Sequence, residues 1–116
     1  DIIKKSFLII DSYPHGGCNT SLECFYHNKI ILSKPSNYLR GRFTYGFYKK
    51  MGINDFIINN NKEFINKINY LIENPNYYDK ITNKIKEKKY LLFNDFESIY
   101  EWNNSLKYIF NSQINI

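Results

Sequence analysis

Apolar positions in the first third of the chain follow the pattern of a parallel α/β unit. Residues 7–10 form a continuous apolar run of strand length, and polar and turn-forming residues follow it directly. Such a run is typical of a strand that is buried on both faces, as in sheets covered by helices. A short amphipathic helix fits residues 20–27, and residues 29–33 return as a second strand. This order predicts a compact βαβ unit.

The middle of the chain predicts helices and one brief strand. A helix is predicted over residues 38–51 and should end at Gly52, because glycine tolerates the left-handed conformation that closes many helices. A brief strand is expected over residues 55–58, before three asparagines and a helix that Pro75 should stop. The apolar residues of that helix and the next recur at helical intervals: Phe64, Ile65, Ile68, Leu71 and Ile72, then Tyr78, Ile81 and Ile85.

The last helix is predicted to begin with a capping box from Asn94 to Glu97. Four apolar residues mark this helix: Phe96, Ile99, Leu106 and Phe110. Its other aromatic residues favour core and rim positions over a stacking platform for a ligand: Tyr100, Trp102 and Tyr108.

The predicted order of elements is half of an open α/β sheet followed by a helical closing segment. We expect the strands that complete the sheet to precede Asp1, and the missing initiator methionine suggests a chain cut from something longer. The length of 116 residues is enough for one hydrophobic core, residues 1–116, but not for two lobes.

Composition and charge narrow the class of protein. Hydrophobic residues make up 43% and charged residues 23%, which is the balance of a globular protein rather than of a disordered tail. The net charge of +5 comes from lysines scattered along the helices, which favours solvated helix faces over a nucleic-acid surface. Cys18 and Cys24 lack metal-ligand spacing, so we expect free thiols in a reducing, cytoplasmic setting. No apolar run approaches membrane-spanning length.

The loop before the first predicted helix carries the candidate chemistry. His15, Gly16, Gly17 and Cys18 lead into Asn19 and Thr20. Two glycines free to adopt positive φ, followed by the unpaired amides of a helix start, suit a diphosphate. The plain alternative is a turn followed by a helix cap.

Glu23 has the same two interpretations. Thr20 and Glu23 have the spacing of a capping box, in which the carboxylate folds back onto the Thr20 amide. Alternatively, a carboxylate one turn into the helix accepts hydrogen bonds from ribose hydroxyls. Asp11, at the end of the first strand, is expected to orient the loop by accepting its amides, not to act in catalysis.

Residues 11–23 resemble the nucleotide-sugar motif of glycosyltransferase family 41, which includes the O-linked N-acetylglucosamine transferases and bacterial adhesin N-glucosyltransferases. The resemblance covers nearly the whole chain, in order through residues 29–33, 40–42, 52–57, 63–64 and 92–94. It implies an α/β fold, namely a partial Rossmann-like C-terminal domain of a GT-B glycosyltransferase with C-terminal helices.

The resemblance also implies a function. A UDP-sugar, either UDP-N-acetylglucosamine or UDP-glucose, would be the donor for transfer to a protein acceptor, with no cofactor and no metal. Asn19 and Thr20 would bind the diphosphate, Glu23 the ribose, and Gly17 would allow close approach. The catalytic base and much of the uracil pocket would lie in the N-terminal half of the same enzyme. The isolated chain is therefore expected to bind a nucleotide weakly and to transfer nothing.

Two positions depart from this pattern or leave it open. Cys18 lies where the O-linked transferases have a histidine on the phosphates. Arg42 matches a family arginine, but a structural cation bonded to loop carbonyls is the favoured interpretation over ligand contact.

A non-catalytic nucleotide-binding or scaffold module of the same fold is the alternative function, and a nucleic-acid module is disfavoured. No nucleic-acid or membrane partner is expected.

Overall fold

The computed structural model describes residues 2–114 of the chain, so residue 1 and residues 115–116 of the predicted domain 1–116 lie outside the described part. In chain order the elements are α1 Ile2–Lys5, β1 Ile9–Ile10, α2 Asn19–Tyr26, β2 Ile31–Leu32, a 3-10 turn Leu39–Gly41, α3 Phe43–Met51, α4 Asn61–Glu73, α5 Pro75–Lys88, α6 Tyr90–Phe93 and α7 Phe96–Ile114. The result is a mostly helical α/β unit with a two-stranded parallel sheet.

The βαβ unit is confirmed, with shorter strands than predicted. β1 and β2 are parallel, and Ile9 pairs with Ile31 while Ile10 pairs with Leu32. Burial on both faces holds for β2, whose two residues are each 1% exposed. It is wrong for β1, because Ile10 is 60% exposed and Phe7 lies outside the strand. Phe7 instead stacks on the ring of Tyr78, with centroids 4.4 Å apart.

The third predicted strand, residues 55–58, is reduced to a single parallel bridge between Ser33 and Ile57. The cause is Tyr48 of α3, whose hydroxyl reaches the free edge of β2. It accepts a hydrogen bond from the Ile31 amide at 2.8 Å and donates one to the Ile31 carbonyl at 2.9 Å. A side chain therefore occupies the place where a third strand would pair. Burial raises the pKa of this fully enclosed phenol.

The predicted helix 38–51 is divided in two. The 3-10 turn Leu39–Gly41 comes first, and α3 begins after Arg42. Gly52 has a φ of 68° and closes α3 in the left-handed conformation, as predicted. Pro75 lies at the first position of α5, so α4 ends before it, as predicted.

The hydrophobic core lies between the sheet, α2, α3 and the inner faces of α4 and α5. Three aromatic rings form its centre: Tyr48 makes edge-to-face contact with Phe25 at 4.9 Å and a tilted contact with Phe56 at 5.9 Å. Fewer residues of α4 and α5 face the core than their sequence pattern suggested. Leu71, Ile81 and Ile85 are buried, Phe64, Ile68 and Tyr78 are partly buried, and Ile65 and Ile72 are exposed.

Helix α7 departs from the sequence prediction in its start and its packing. It begins at Phe96, and Asp95 rather than Asn94 supplies the cap, since Asp95 accepts hydrogen bonds from the amide and the hydroxyl of Ser98. Lys50 forms an ion pair with the same carboxylate, and these contacts hold the pKa of Asp95 at about 2. The three residues expected at core and rim positions are exposed: Tyr100, Trp102 and Tyr108. The apolar residues that mark the helix are exposed as well: Phe96, Ile99, Leu106 and Phe110. No helix in residues 2–114 is both long and apolar enough to cross a membrane.

Candidate functional site

The loop between β1 and α2 is anchored by the carboxylate of Asp11. One carboxylate oxygen accepts the Gly17 amide at 2.7 Å, and the other accepts the Ser33 hydroxyl at 2.7 Å. Since Ser33 follows β2, the bonds join the carboxyl ends of both strands to the returning loop. The prediction that Asp11 orients the loop by accepting its amides is confirmed.

A second clamp comes from the 3-10 turn. The Gly16 amide donates to the Arg40 carbonyl at 3.0 Å. Gly41 lies so close to the loop that a Cβ at this position would lie 2.2 Å from the Pro14 carbonyl oxygen and 2.1 Å from the Ser36 hydroxyl. Glycine is therefore required at position 41 for the loop to dock.

The two loop glycines serve packing rather than unusual backbone geometry. Neither Gly16 nor Gly17 has a positive φ, so that expectation is wrong. A Cβ on Gly17 would lie 2.7 Å from the Ser21 hydroxyl, and one on Gly16 would lie 3.0 Å from Asp11. The missing side chain at Gly17 thus allows close packing against α2 and the Asp11 carboxylate.

Helix α2 begins at Asn19, one residue earlier than predicted, with Cys18 at the N-cap. Cys18 makes no side-chain cap, and within residues 2–114 the amides of Asn19, Thr20 and Ser21 donate no hydrogen bond. The Thr20–Glu23 capping box is absent, because Thr20 is already inside the helix. The first turn of α2 thus presents unpaired amides and the positive end of the helix dipole.

The buried side chain of Ser21 fixes the start of α2. The Ser21 hydroxyl lies 2.7 Å from the Thr44 hydroxyl of α3, and Thr44 also approaches the Gly17 carbonyl at 3.4 Å. These contacts fix the helix start against a second helix, so its direction does not depend on a ligand.

The predicted site residues differ in how accessible they are. His15, Asn19, Thr20 and Glu23 are exposed, Gly17 and Cys18 are partly buried, and Gly16 is buried. Glu23 follows Asn19 by four residues, so the two lie on one face of α2. His15 lies in the loop beside the helix start, where its carbonyl accepts the Ser12 hydroxyl.

A cavity of about 140 Å³ lies beside the helix start, lined by residues that include Asp11, Ser12, Gly17, Thr20 and Cys24. It is large enough for a phosphate group and too small for a nucleotide, since ligand pockets usually measure several hundred Å³. Burial, with the Glu23 and Asp11 carboxylates nearby, raises the pKa of the Cys24 thiol. A raised pKa and complete burial both disfavour a nucleophilic role for Cys24.

Arg42 has the structural role that the sequence favoured, because its guanidinium donates to the Ser36 carbonyl at 3.1 Å and lies over the Tyr45 ring. Sequence reasoning did not identify Ser33 or the docking role of Gly41. The available signals were a polar residue directly after a buried strand and an isolated glycine in a helical pattern.

Among residues 2–114, no group of three or more histidine, cysteine, aspartate or glutamate side chains is arranged to hold a metal ion.

No protein-family model matches the chain, and no curated protein sequence matches it.

Proposed function

We propose that this chain is the nucleotide-sugar-binding part of a GT-B glycosyltransferase of the kind its sequence resembles, glycosyltransferase family 41. The donor would be UDP-N-acetylglucosamine or UDP-glucose, and the acceptor a protein. The observation that carries the proposal is the start of α2, where three amides and the exposed Asn19 and Thr20 side chains have no partner among the described residues.

The diphosphate is the part of the donor that this geometry fits best. Free amides and the helix dipole favour an anion at such a position without a lysine. Transfer of the sugar builds negative charge on the leaving diphosphate, so donors fixed at that place would stabilise the transition state. The rigid loop supports this role, because Asp11 and the 3-10 turn hold it without a ligand.

Glu23 is proposed to bind the ribose. It lies four residues beyond Asn19, which separates the two along the helix axis by about 6 Å. Since its side chain is exposed and makes no cap at the start of α2, its carboxylate is available to accept hydrogen bonds from a diol.

The small cavity supports a divided site. A volume of about 140 Å³ accounts for the phosphate end of the donor only. We therefore propose that the uracil pocket and the acceptor side come from the N-terminal half of the same enzyme. Cys18 strengthens this inference, because the histidine that the related motif places on the phosphates is missing here.

A non-catalytic binding module of the same fold is the second candidate. It is favoured by two observations: the Asp11 carboxylate accepts hydrogen bonds from the Gly17 amide and the Ser33 hydroxyl, and the Cys24 side chain in α2 is buried. Neither group is free to act as a base or nucleophile.

Isothermal titration of the chain with UDP tests the proposal, with uridine as the ligand that lacks the diphosphate. We expect weak UDP binding, no detectable uridine binding, and no sugar transfer. Thr20→Val should weaken UDP binding roughly tenfold or more, since it removes a hydrogen bond to a charged group. Thr82→Val, a threonine on α5 that bonds the Asp79 carbonyl, is the matched control. Equal affinity for uridine and UDP would refute the phosphate site, and turnover by the isolated chain would refute the division between halves.

A further inference from the structure

Helix α7 carries a continuous apolar stripe that nothing in residues 2–114 covers. The helix has 19 residues, none of residues 96–113 has a buried side chain, and its first turn is held through Asp95. The radius of gyration is 17.4 Å and the long axis 64 Å, whereas a compact chain of this length would have a radius near 13 Å. The helix therefore extends from the body of the protein.

The stripe has a heptad register. Its central residues are spaced by three, four and three positions, as at the contact line of paired helices: Ile99, Trp102, Leu106 and Ile109. Two further sets flank this line, each with members seven residues apart. One side carries Phe96, Asn103 and Phe110, and the other side carries Ser98, Ser105 and Ser112.

We propose that this stripe binds the same stripe of a second copy of the chain, with the two α7 helices antiparallel. The antiparallel register is self-complementary. Ile99 faces Ile109 of the second copy, and Trp102 faces its Leu106. On one flank Phe96 meets Phe110 of the second copy, with the two Asn103 amides together at the two-fold axis.

The other flank is equally self-complementary. Ser98 meets Ser112 of the second copy, and the two Ser105 residues face each other. Small side chains on this flank leave room for the indole of Trp102. An isologous contact of this kind closes on itself and forms a dimer rather than a fibre.

Area and charge both favour a second copy as the occupant. The six large apolar side chains of the stripe and its flank are 54% to 75% exposed, and together they present roughly 800 Å², at 150–250 Å² for a full aromatic side chain. This equals about what each partner buries in a standard interface and exceeds the usual patch on a monomer. Neither flank carries a charged residue, so nothing repels an identical helix.

Sedimentation equilibrium over a dilution series tests the association. We expect a mass twice the chain mass of 14.0 kDa that falls to the monomer on dilution. Leu106→Glu should raise the dissociation constant about a hundredfold or more, because a symmetric dimer places two carboxylates in the contact. Tyr108→Glu is the control, since Tyr108 is exposed on the same helix but lies away from the stripe. Circular dichroism should show equal helix content in both variants.

A monomer at every concentration would overturn the proposal, and it is also the result expected if another part of a larger enzyme covers the stripe. A dimer that survives Leu106→Glu would overturn it too, because association would then use another surface. Neither result bears on the nucleotide site, which the UDP titration tests separately.

Cysteine cross-linking tests the antiparallel register with two neighbouring asparagines. In a Cys18→Ser background, Asn103→Cys places a thiol at the two-fold axis, whereas Asn104→Cys places it on the outer face of the helix. Oxidation with diamide should join two copies of the first variant through a disulfide and leave the second uncross-linked. Equal cross-linking of both, or none of either in a dimeric sample, would overturn the antiparallel arrangement.

Discussion

The Tyr48 hydroxyl hydrogen-bonds the edge of β2, where a neighbouring strand would otherwise pair. Its removal should therefore lower the free energy of unfolding. Tyr48→Phe keeps the ring and its aromatic contacts but deletes both hydrogen bonds to the Ile31 backbone. Ile31 is 1% exposed and Tyr48 fully buried, so water does not replace the lost partner. The amide and carbonyl of Ile31 would both be left buried without a hydrogen bond.

The magnitude follows from these two groups. An unsatisfied buried backbone group costs about 1–3 kcal/mol, and the substitution relieves the buried phenol of its own desolvation. We expect a net loss of about 2–4 kcal/mol, which is a large part of the 5–15 kcal/mol typical of a domain. The midpoint of thermal unfolding should fall by roughly 10–20 °C.

Urea unfolding followed by far-ultraviolet circular dichroism measures the loss as a lower midpoint at an unchanged slope. Tyr45→Phe is the matched control on the same helix, because the Tyr45 ring lies under Arg42 and Lys49 and its hydroxyl makes no hydrogen bond within the described residues. It should change the free energy of unfolding by less than about 0.5 kcal/mol. If the two substitutions cost the same, the hydroxyl does not hold the edge of β2.

Four further predictions use the same chain. Burial raises the pKa of Tyr48 in the folded state, so the contribution of this phenol to the free energy of unfolding is complete below about pH 10, its pKa in the unfolded state. Above that pH the free energy of unfolding should fall by about 1.4 kcal/mol per pH unit on account of this group. Tyr48→Phe should reduce this dependence on pH. Gly41→Ala should destabilise by about 1–3 kcal/mol through overpacking, whereas Gly46→Ala, with nothing within 4 Å, should stabilise the helix by up to about 1 kcal/mol; equal thermal shifts would contradict the docking argument. Asp11→Asn should increase hydrogen exchange at the Gly17 amide, and unchanged protection would show that the carboxylate does not hold the loop. Glu23→Gln should abolish any preference for UDP over 2′-deoxy-UDP in titrations, and a preserved preference would remove Glu23 from the ribose site.

The sequence predicts most reliably those features that depend on local periodicity and turn chemistry. The βαβ order, the left-handed close of α3 at Gly52 and the break at Pro75 follow from apolar spacing and from two residues with restricted or permissive backbones. Each of these signals lies within a few residues of the feature it predicts. Tertiary context did not alter them.

Features that depend on a distant residue were not predictable in this way. Residues 55–58 have the composition of a strand, but the hydroxyl of Tyr48 occupies the edge where they would pair. The apolar pattern of α7 indicates only that one face of the helix is apolar, and the sequence does not state which surface that face meets.

The anchoring of the loop determines how an anion would approach the candidate site. Asp11 already accepts the Gly17 amide, so a phosphate would bind to the amides of Asn19 and Thr20. The Asp11 carboxylate would lower the affinity there, because like charges repel across a short distance. Cys18 offers no positive charge to offset this repulsion. Tight binding of a diphosphate at this position therefore requires a cation from another segment, which is the physical reason to expect weak binding by this chain alone.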